Sequence, residues 1–477
     1  MPNPVVHVLD YGAGNVRSLK NALHALGYNS VDVERVEDIE NASILVFPGV
    51  GNFAQAMSFL TTHNYVDALK AYILANKRFM GICLGMQTLF EGSEECPGVP
   101  GLGIVPGLVA KFPSENLAVP HIGWNGVSAH QSSPIFAHLD ASTDPTVYFV
   151  HSFRASPSTV NKSWVLTTTN YGAFEFISAI QHGNVVATQF HPEKSGAVGL
   201  QMLRGFLEGA APITLANATS PTQLRKRVIA YAHYSNSLQS DSSFLGGADE
   251  IAFLNITSFR EQPLDDSPML AVLEASSARV FVPLTVGGGI RGYTDATKRR
   301  WSALDVAARY FRAGADKISI GSDAVDAAEA YYAGASQSVD INEKSSIEQI
   351  STVYGRQAVV VSVDPRRVYV DSVDAHTAAV ELKHKCGPQG ERFCWYQVMV
   401  KGGREGRAMD VACEALGAGE ILLNCVDMDG QNDGYDLDLI CLVKAAVTIP
   451  VVASSGAGRP SHFSTVFAYV RCCPSRS

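Results

Sequence analysis

Phe79-Met80-Gly81-Ile82-Cys83-Leu84-Gly85-Met86-Gln87-Thr88-Leu89-Phe90 is the stretch that decides the fold of the first half of the chain. Cys83 stands between Gly81 and Gly85, where one apolar run ends and another begins, so a strand has to turn sharply into a helix there. Only glycine tolerates such crowding. The pattern is a G-x-nucleophile-x-G elbow with sulfur in place of oxygen. It lifts the side chain above a parallel sheet and aims the next backbone N–H at an oxyanion. A cysteine in an apolar run is more often a small buried hydrophobe, so the reading needs a partner. Gln189-Phe190-His191-Pro192-Glu193-Lys194-Ser195 supplies one. A thiol attacking an amide needs a base, and the base needs a carboxylate to set its tautomer. With one residue between them, His191 and Glu193 are expected on the same side of an extended segment. The glycine turn Pro48-Gly49-Val50-Gly51-Asn52-Phe53 follows the apolar run Ile44 to Phe47, and Gly49 to Gly51 can offer a second oxyanion N–H.

Around the elbow, strands and helices alternate. Val5 to Leu9 reads as a strand, Asp10-Tyr11-Gly12-Ala13-Gly14-Asn15 as a glycine turn, and Val16 to Leu26 as a helix stopped by Gly27. The alternation lasts to about residue 90, which implies a doubly wound sheet. Asn161 to Thr169, Phe174 to Ala179 and Val185 to Phe190 read as the last strands, and Ala197 to Leu207 as the closing helix. Small residues without periodicity follow from Gly209 to Pro221. The expected division is therefore a first domain over residues 1–210, a linker over 211–222 and a second domain over 223–477.

The second half has a different rhythm. Gly247-Ala248-Asp249-Glu250-Ile251-Ala252-Phe253-Leu254-Asn255 is echoed about 170 residues later by Gly417-Ala418-Gly419-Glu420-Ile421-Leu422-Leu423-Asn424. Val282 to Gly289 is echoed by Pro450 to Gly458 at nearly the same interval. Apolar strands alternate with helices such as Ala303 to Ala313, so a (βα) barrel is expected, with its site at the strand C-termini. Gly288, Gly289, Gly321, Ser322, Gly430, Gly456 and Ala457 stand there. Glycine-rich strand ends present backbone N–H groups to phosphate, and two such sets suggest a substrate with a phosphate at each end. Asp364 and Asp429 also lie at strand ends, where carboxylates can serve as acid and base. At the opposite ends lie Arg227, Glu250, Lys317 and Glu420, of alternating sign; solvated strand starts would look the same.

Composition narrows the function classes. The chain has 477 residues, 46% of them hydrophobic and 17% charged, with a net charge of −9. Without a basic patch interleaved with aromatics, neither nucleic acid nor an anionic membrane is an expected partner. No apolar run is long enough to span a bilayer, and the early strand after Met1-Pro2-Asn3-Pro4 leaves no room for a targeting peptide. Nine cysteines without a C-x-x-C pair suit a reducing cytoplasm better than a disulfide framework, and zinc is not expected. The chemistry asks for no cofactor.

Through Asp10 to Asn15, Pro48 to Gly51, Gly81 to Gln87, Pro120-His121-Ile122-Gly123-Trp124-Asn125, His151-Ser152-Phe153 and His191 to Ser195, the first half resembles the class I glutamine amidotransferases. Specifically, it is similar to the glutaminase of the imidazole glycerol phosphate synthase family. The second half resembles the cyclase of that family through Phe253 to Phe259, Thr285 to Ile290, Ala315 to Ser322, Ser362 to Arg367, Lys401-Gly402-Gly403-Arg404-Glu405, Gly417 to Gly430 and Ala453 to Gly458. The resemblance implies that Cys83 forms a thioester with glutamine, His191 shuttles the proton, Glu193 orients His191, and Gln87 with Ser152 holds the substrate. It further implies that ammonia crosses the barrel, gated by Arg227, Glu250, Lys317 and Glu420. There it would meet a bisphosphorylated formimino-aminoimidazole carboxamide ribonucleotide, with Asp364 as acid or base and Asp429 in support. Both activities in one chain lead us to expect a monomer.

The chain departs from the family in two places. After the strand expected over Arg225 to Ala230, the family continues with a strand-end Asp, a long substrate loop and a helix. Here Tyr231-Ala232-His233-Tyr234-Ser235-Asn236 leads almost at once to Gly246, and His233 falls where the partner of Asp364 belongs. The stretch from Arg407 to Glu414 is also short. After the helix Pro460 to Val470 the chain stops at Ser477, so seven barrel strands are expected and the eighth is missing. The expected fold is thus a doubly wound mixed sheet followed by an incomplete (βα)8-type barrel. Two rival readings remain: a glutaminase whose damaged barrel is a scaffold binding a phosphate ligand or a partner chain, and a free-standing amidotransferase serving another synthase.

Overall fold

The computed structural model describes residues 4–12, 14–115, 117–140, 144–216, 221–234, 247–255, 268–295, 297–334, 344–400, 405–408 and 412–469. In the first half an eight-stranded sheet runs in the order Ser30–Asp32, Val6–Val8, Ile44–Gly49, Arg78–Cys83, Val185–Thr188, Phe174–His182, Val165–Tyr171, Ser128–Ala129. The first five strands are parallel and the remainder antiparallel. The sheet is therefore mixed, as expected. Successive side chains on a strand point to opposite faces, and here each face has its own core: Ile44, Val46, Met80 and Ile82 enter one, Leu45, Phe47 and Phe79 the other. Helices such as Val16–Ala25 cover the first core and Phe53–Thr62 and Tyr65–Leu74 the second. That double burial explains why these strands are nearly continuous apolar runs.

In the second half, seven parallel strands follow one another in chain order among the described residues: Ile229–Tyr234, Glu250–Asn255, Leu284–Gly287, Lys317–Ile320, the beginning of Val359–Val370, Glu420–Asn424 and Val451–Ser454. Helices including Ala303–Ala313, Ser346–Tyr354 and Leu437–Ala446 pack outside them on a shared apolar core. The first strand starts four residues later than expected. Arg225 donates its N–H to the Trp124 carbonyl at 2.7 Å and Val228 donates to the Asp249 carboxylate at 2.7 Å, so pairing begins only at Ile229 with Glu250. His233 consequently lies inside the strand, opposite Leu254.

Beyond what the sequence led us to expect, Val359–Val370 outruns the parallel sheet and continues as a hairpin with Phe393–Val400, Asp364 pairing with Met399. Three expectations lie outside the described residues: the crossover over 235–246, the Lys401 to Arg404 match and the tail beyond Tyr469. Cys83, Cys96, Cys386, Cys394 and Cys425 are free thiols, whereas Cys441 is disulfide-bonded, contrary to the thiol-only expectation.

The linker is fastened to the first half. Thr222 Oγ1 accepts from Asn170 N–H at 2.6 Å, and Leu224 packs on Gly123. Trp124 Nε1–H reaches across to the Asp249 carbonyl at 3.1 Å, and Gly196 N–H to the Phe281 carbonyl at 2.9 Å.

Candidate active site

Cys83 ends the strand Arg78–Cys83 with φ 53° and ψ −105°, and the short helix Leu84–Gln87 starts at the next residue. Such a backbone is strained for a side chain other than glycine. It holds because the neighbours leave no alternative: a Cβ on Gly81 would lie 2.8 Å from the Gly85 carbonyl oxygen, and one on Gly85 only 2.0 Å from that of Phe47. The elbow read from the sequence is therefore present. Gly49 pairs in register with Cys83, which carries the loop through Gly51 to the sulfur. The Tyr11 hydroxyl pins that loop by donating to the Val50 carbonyl at 2.5 Å.

His191 and Glu193 meet at 2.8 Å between Nδ1 and Oε1, both buried. They do so by a different route from the extended one expected. Pro192–Lys194 forms a 3₁₀ turn that brings Glu193 back to the ring, and Ser195 Oγ locks it by donating to the His191 carbonyl at 2.6 Å. The same hydroxyl accepts from Tyr148 N–H at 2.9 Å. Glu193 Oε2 and His191 Nε2 have no hydrogen-bond partner of ordinary geometry. Burial works against a charge on His191, but Glu193 and the Cys83 sulfur outweigh it and hold the imidazole protonated well above its usual range. A thiolate beside an imidazolium is the arrangement that makes cysteine a nucleophile.

Gln87 is buried beside the elbow, its Nε2 donating to the Phe153 carbonyl at 3.2 Å and to Gln189 Oε1 at 3.0 Å. Ser152 lies in the adjoining strand turn, its carbonyl accepting from Phe112 N–H at 3.0 Å. The sequence reading passed over Gln189, whose Nε2 donates to Cys83 Sγ at 3.4 Å. Its place two residues before His191 was the available signal.

The C-terminal rim of the seven strands collects the other group. Gly288 and Gly289 turn with φ of 95° and 72° after Leu284–Gly287, Gly321 precedes the helix Ser322–Tyr332, and Gly430 and Gly456 turn with φ of 69° and 95°. Ala457 and Asp429 lie beside them in the chain. Asp364 accepts from Asn424 Nδ2 at 2.8 Å; burial, with the charge of Asp429 adding to it, lifts its carboxyl above the usual range. Asn424, at the end of its strand, is a further residue the sequence reading did not single out.

On the opposite rim the four charges close on one another. Lys317 Nζ lies 2.6 Å from Glu250 Oε2 and 2.8 Å from Glu420 Oε2, and Arg227 is ion-paired with both carboxylates. Glu250, Lys317 and Glu420 begin alternate strands, which in a barrel project into a single layer. Burial pushes Lys317 down to about 8. A small enclosed cavity joins this ring to the cysteine site, lined by Val50, Tyr148, His191, Lys194, Asp316 and Lys317 among others. Lys194 Nζ bridges to Asp316 Oδ2 at 2.7 Å, and Asn15 Nδ2 donates to Asp316 Oδ1 at 2.8 Å. Among the described residues no group of three or more His, Cys, Asp and Glu could hold a metal ion, and no helix is long and apolar enough to cross a membrane.

Residues 7–209 match the family described as glutamine amidotransferase class-I, and residues 236–471 that described as histidine biosynthesis protein. Imidazole glycerol phosphate synthase hisHF, chloroplastic, of Arabidopsis thaliana is 51% identical over 501 aligned positions, covering 97% of this chain and 83% of that protein. The imidazole glycerol phosphate synthase hisHF of Emericella nidulans is 46% identical over 514 positions (97% and 92% covered), and that of Schizosaccharomyces pombe 45% over 512 (98% and 94%). All three alignments run over more positions than this chain's 477 residues, so each relative carries residues that this chain lacks within the matched span.

Proposed function

This chain belongs to the imidazole glycerol phosphate synthase family, in its single-chain bifunctional form, and from that premise we propose how its residues divide the work. The protein is a glutamine-hydrolysing enzyme of histidine biosynthesis, with a glutaminase half and a cyclase half.

In the first domain, which we bound at residues 1–210 with a linker to 222, the Cys83 thiolate attacks the carboxamide carbon of glutamine. The Leu84 N–H and an N–H of the Gly49 to Gly51 loop receive the oxyanion. His191, held by Glu193, gives its proton to the departing ammonia and leaves a thioester on Cys83. It then takes a proton from the water that releases glutamate. Gln87 and Ser152 hold the substrate. The observation that carries this reading is the His191–Glu193 pair, 2.8 Å apart and buried, with the imidazole proton stabilised by the Cys83 sulfur. Glutamate release measured on wild type and Cys83→Ser tests it; a Cys83→Ser protein that hydrolyses glutamine at the wild-type rate refutes the assignment.

Ammonia then enters the cavity beside Tyr148, and the ring of Arg227, Glu250, Lys317 and Glu420 must open to admit it to the barrel. At the far rim, Gly288, Gly289, Gly321 and Ser322 take one phosphate of the bisphosphorylated formimino-aminoimidazole carboxamide ribonucleotide, and Gly430, Gly456 and Ala457 the other. Asp364, whose carboxyl burial lifts above the usual range, serves as acid or base for the ring closure that releases imidazole glycerol phosphate and aminoimidazole carboxamide ribonucleotide, with Asp429 supporting.

We further propose that the barrel is reduced and its cyclase weak. What supports this is the first barrel strand, Ile229–Tyr234, which contains no carboxylate, together with the residues that the relatives carry and this chain lacks. A missing acid–base group lowers a rate by about 10²–10⁴-fold. Imidazole glycerol phosphate formation from the bisphosphate and free ammonium measures the cyclase alone; turnover at the rate of the Schizosaccharomyces pombe relative would overturn this proposal. One chain carrying both activities favours a monomer.

A further inference from the structure

A line of buried hydrogen bonds ends on the Cys83 sulfur, and of its members only Gln87 has a part in the chemistry above. It starts at Asn125, whose Nδ2 donates to the Asn170 carbonyl at 3.0 Å and lies 3.4 Å from His121 Nε2. His121 Nδ1 is 3.1 Å from His151 Nε2, and His151 Nδ1 is 2.8 Å from the Phe153 carbonyl. That carbonyl also accepts from Gln87, which donates again to Gln189 Oε1, and Gln189 Nε2 reaches the sulfur at 3.4 Å. All five side chains are at least nine-tenths buried.

The direction of every proton in this line follows from the Phe153 carbonyl, on which His151 and Gln87 converge as donors. A carbonyl can only accept, so His151 carries its proton on Nδ1 and presents a bare Nε2. His121 must then donate from Nδ1 and accept from Asn125 at Nε2. A second proton on either ring would set two donors face to face. The surroundings enforce the same state: the His121 ring lies between Tyr171 and Phe149 at centroid distances of 4.1 and 5.0 Å, with Phe176 on its edge at 5.7 Å, leaving no counter-charge to compensate a cation. Both Gln87 donor hydrogens are committed, one to Phe153 and one to Gln189, so the Gln189 amide can face the sulfur only with its N–H.

We propose that His121, His151 and Gln189 are positioning residues for the glutaminase: the two neutral histidines hold the Phe153 carbonyl that fixes Gln87, and Gln87 in turn aims the Gln189 N–H at the Cys83 sulfur, which favours its thiolate. This rests on Cys83 being the nucleophile. The titratable groups acting on Cys83 are otherwise His191, paired with Glu193, and the Tyr11 phenol.

The test uses the full chain and two readouts: kcat and KM for glutamine, and the pH midpoint for iodoacetamide alkylation of the Cys83 peptide. Gln189→Met keeps the length and packing of the side chain but removes the donor. We expect kcat to fall about 10–100-fold, as for a lost hydrogen bond to a charged group, with KM within about twofold and the alkylation midpoint raised. His151→Asn retains a donor at the Nδ1 position and is expected to keep most of the wild-type kcat, whereas His151→Gln, which mimics Nε2 instead, is expected to lose about as much as Gln189→Met. Wild-type kcat and midpoint in Gln189→Met, or equal losses in the two His151 variants with an unmoved midpoint, overturn the proposal. Cys83→Ser separates the two ideas: if it is dead while Gln189→Met is normal, only the positioning role fails; if it is active, the nucleophile itself was misread.

Discussion

Two sets of buried charges flank the junction of the two halves, and they are built in opposite ways. In the ring of Arg227, Glu250, Lys317 and Glu420, each cation meets both carboxylates. In the set of Cys83, His191 and Glu193, a single carboxylate oxygen meets the imidazole and the sulfur acts on it from Cys83. One carboxylate against one ring nitrogen leaves the rest of the imidazole to pass a proton to and from the sulfur. A closed ring is the reverse: it holds a shape and admits nothing until a pair is broken. The same chemistry, carboxylate against cation under apolar cover, thus serves as reagent on one side of the junction and as closure on the other.

Breaking each set should expose that difference. Glu193→Gln keeps the shape of the open set but removes the charge that holds the imidazolium. Glutamine hydrolysis should fall about 10²–10⁴-fold, with a smaller shift of the urea midpoint than Lys317→Met causes; an equal or larger loss of stability instead would mean that Glu193 is structural. Lys317→Met leaves Glu250 and Glu420 facing Arg227 alone. Breaking a buried pair in this way costs about 3–5 kcal/mol, so denaturant unfolding of the barrel should shift strongly while ammonia-independent glutaminase chemistry survives.

The smallest effect expected is on the pH dependence of stability. Lys317 is depressed from 10.5 to about 8 in the folded protein. Between those values the unfolded chain binds more protons, so this group should make stability rise with pH across that window. His191 has the opposite sign: its raised affinity adds stability fully below its unfolded value, and the contribution is lost as pH climbs through the folded one. Comparing wild type with Lys317→Met from pH 8 to 10.5 isolates the lysine slope; identical slopes would show that Lys317 does not titrate there.

What could be read in the sequence was whatever lies close along the chain or repeats. The elbow needs five consecutive residues, the His191–Glu193 pair three, and two of the ring charges, Glu250 and Glu420, stand at the starts of repeated strands. Their closure into a ring needed only a barrel. Contacts set by strand pairing were not readable. His121 meets His151 because the antiparallel strands His121–Gly126 and Thr146–His151 put them opposite each other, and no local pattern marks a histidine that faces another across thirty positions. The bridge from Lys194 to Asp316 joins the two halves and has no local signature either. The misplaced start of the first barrel strand has a comparable origin: Arg225 and Val228 look like strand residues by composition, but their N–H groups are taken by Trp124 and Asp249.

The linker's attachment to the first sheet has a consequence for how the two halves share solution. Thr222, Leu224 and Arg225 ride on one half, and Lys226, Arg227 and Val228 are already held by Phe467, by Glu250 with Glu420, and by Asp249 of the other, so no residue of the connection is left to swing between the two anchored stretches. A tether that short keeps each half at about millimolar local concentration of the other. Dilution that would dissociate a pair of unlinked subunits therefore leaves these halves together.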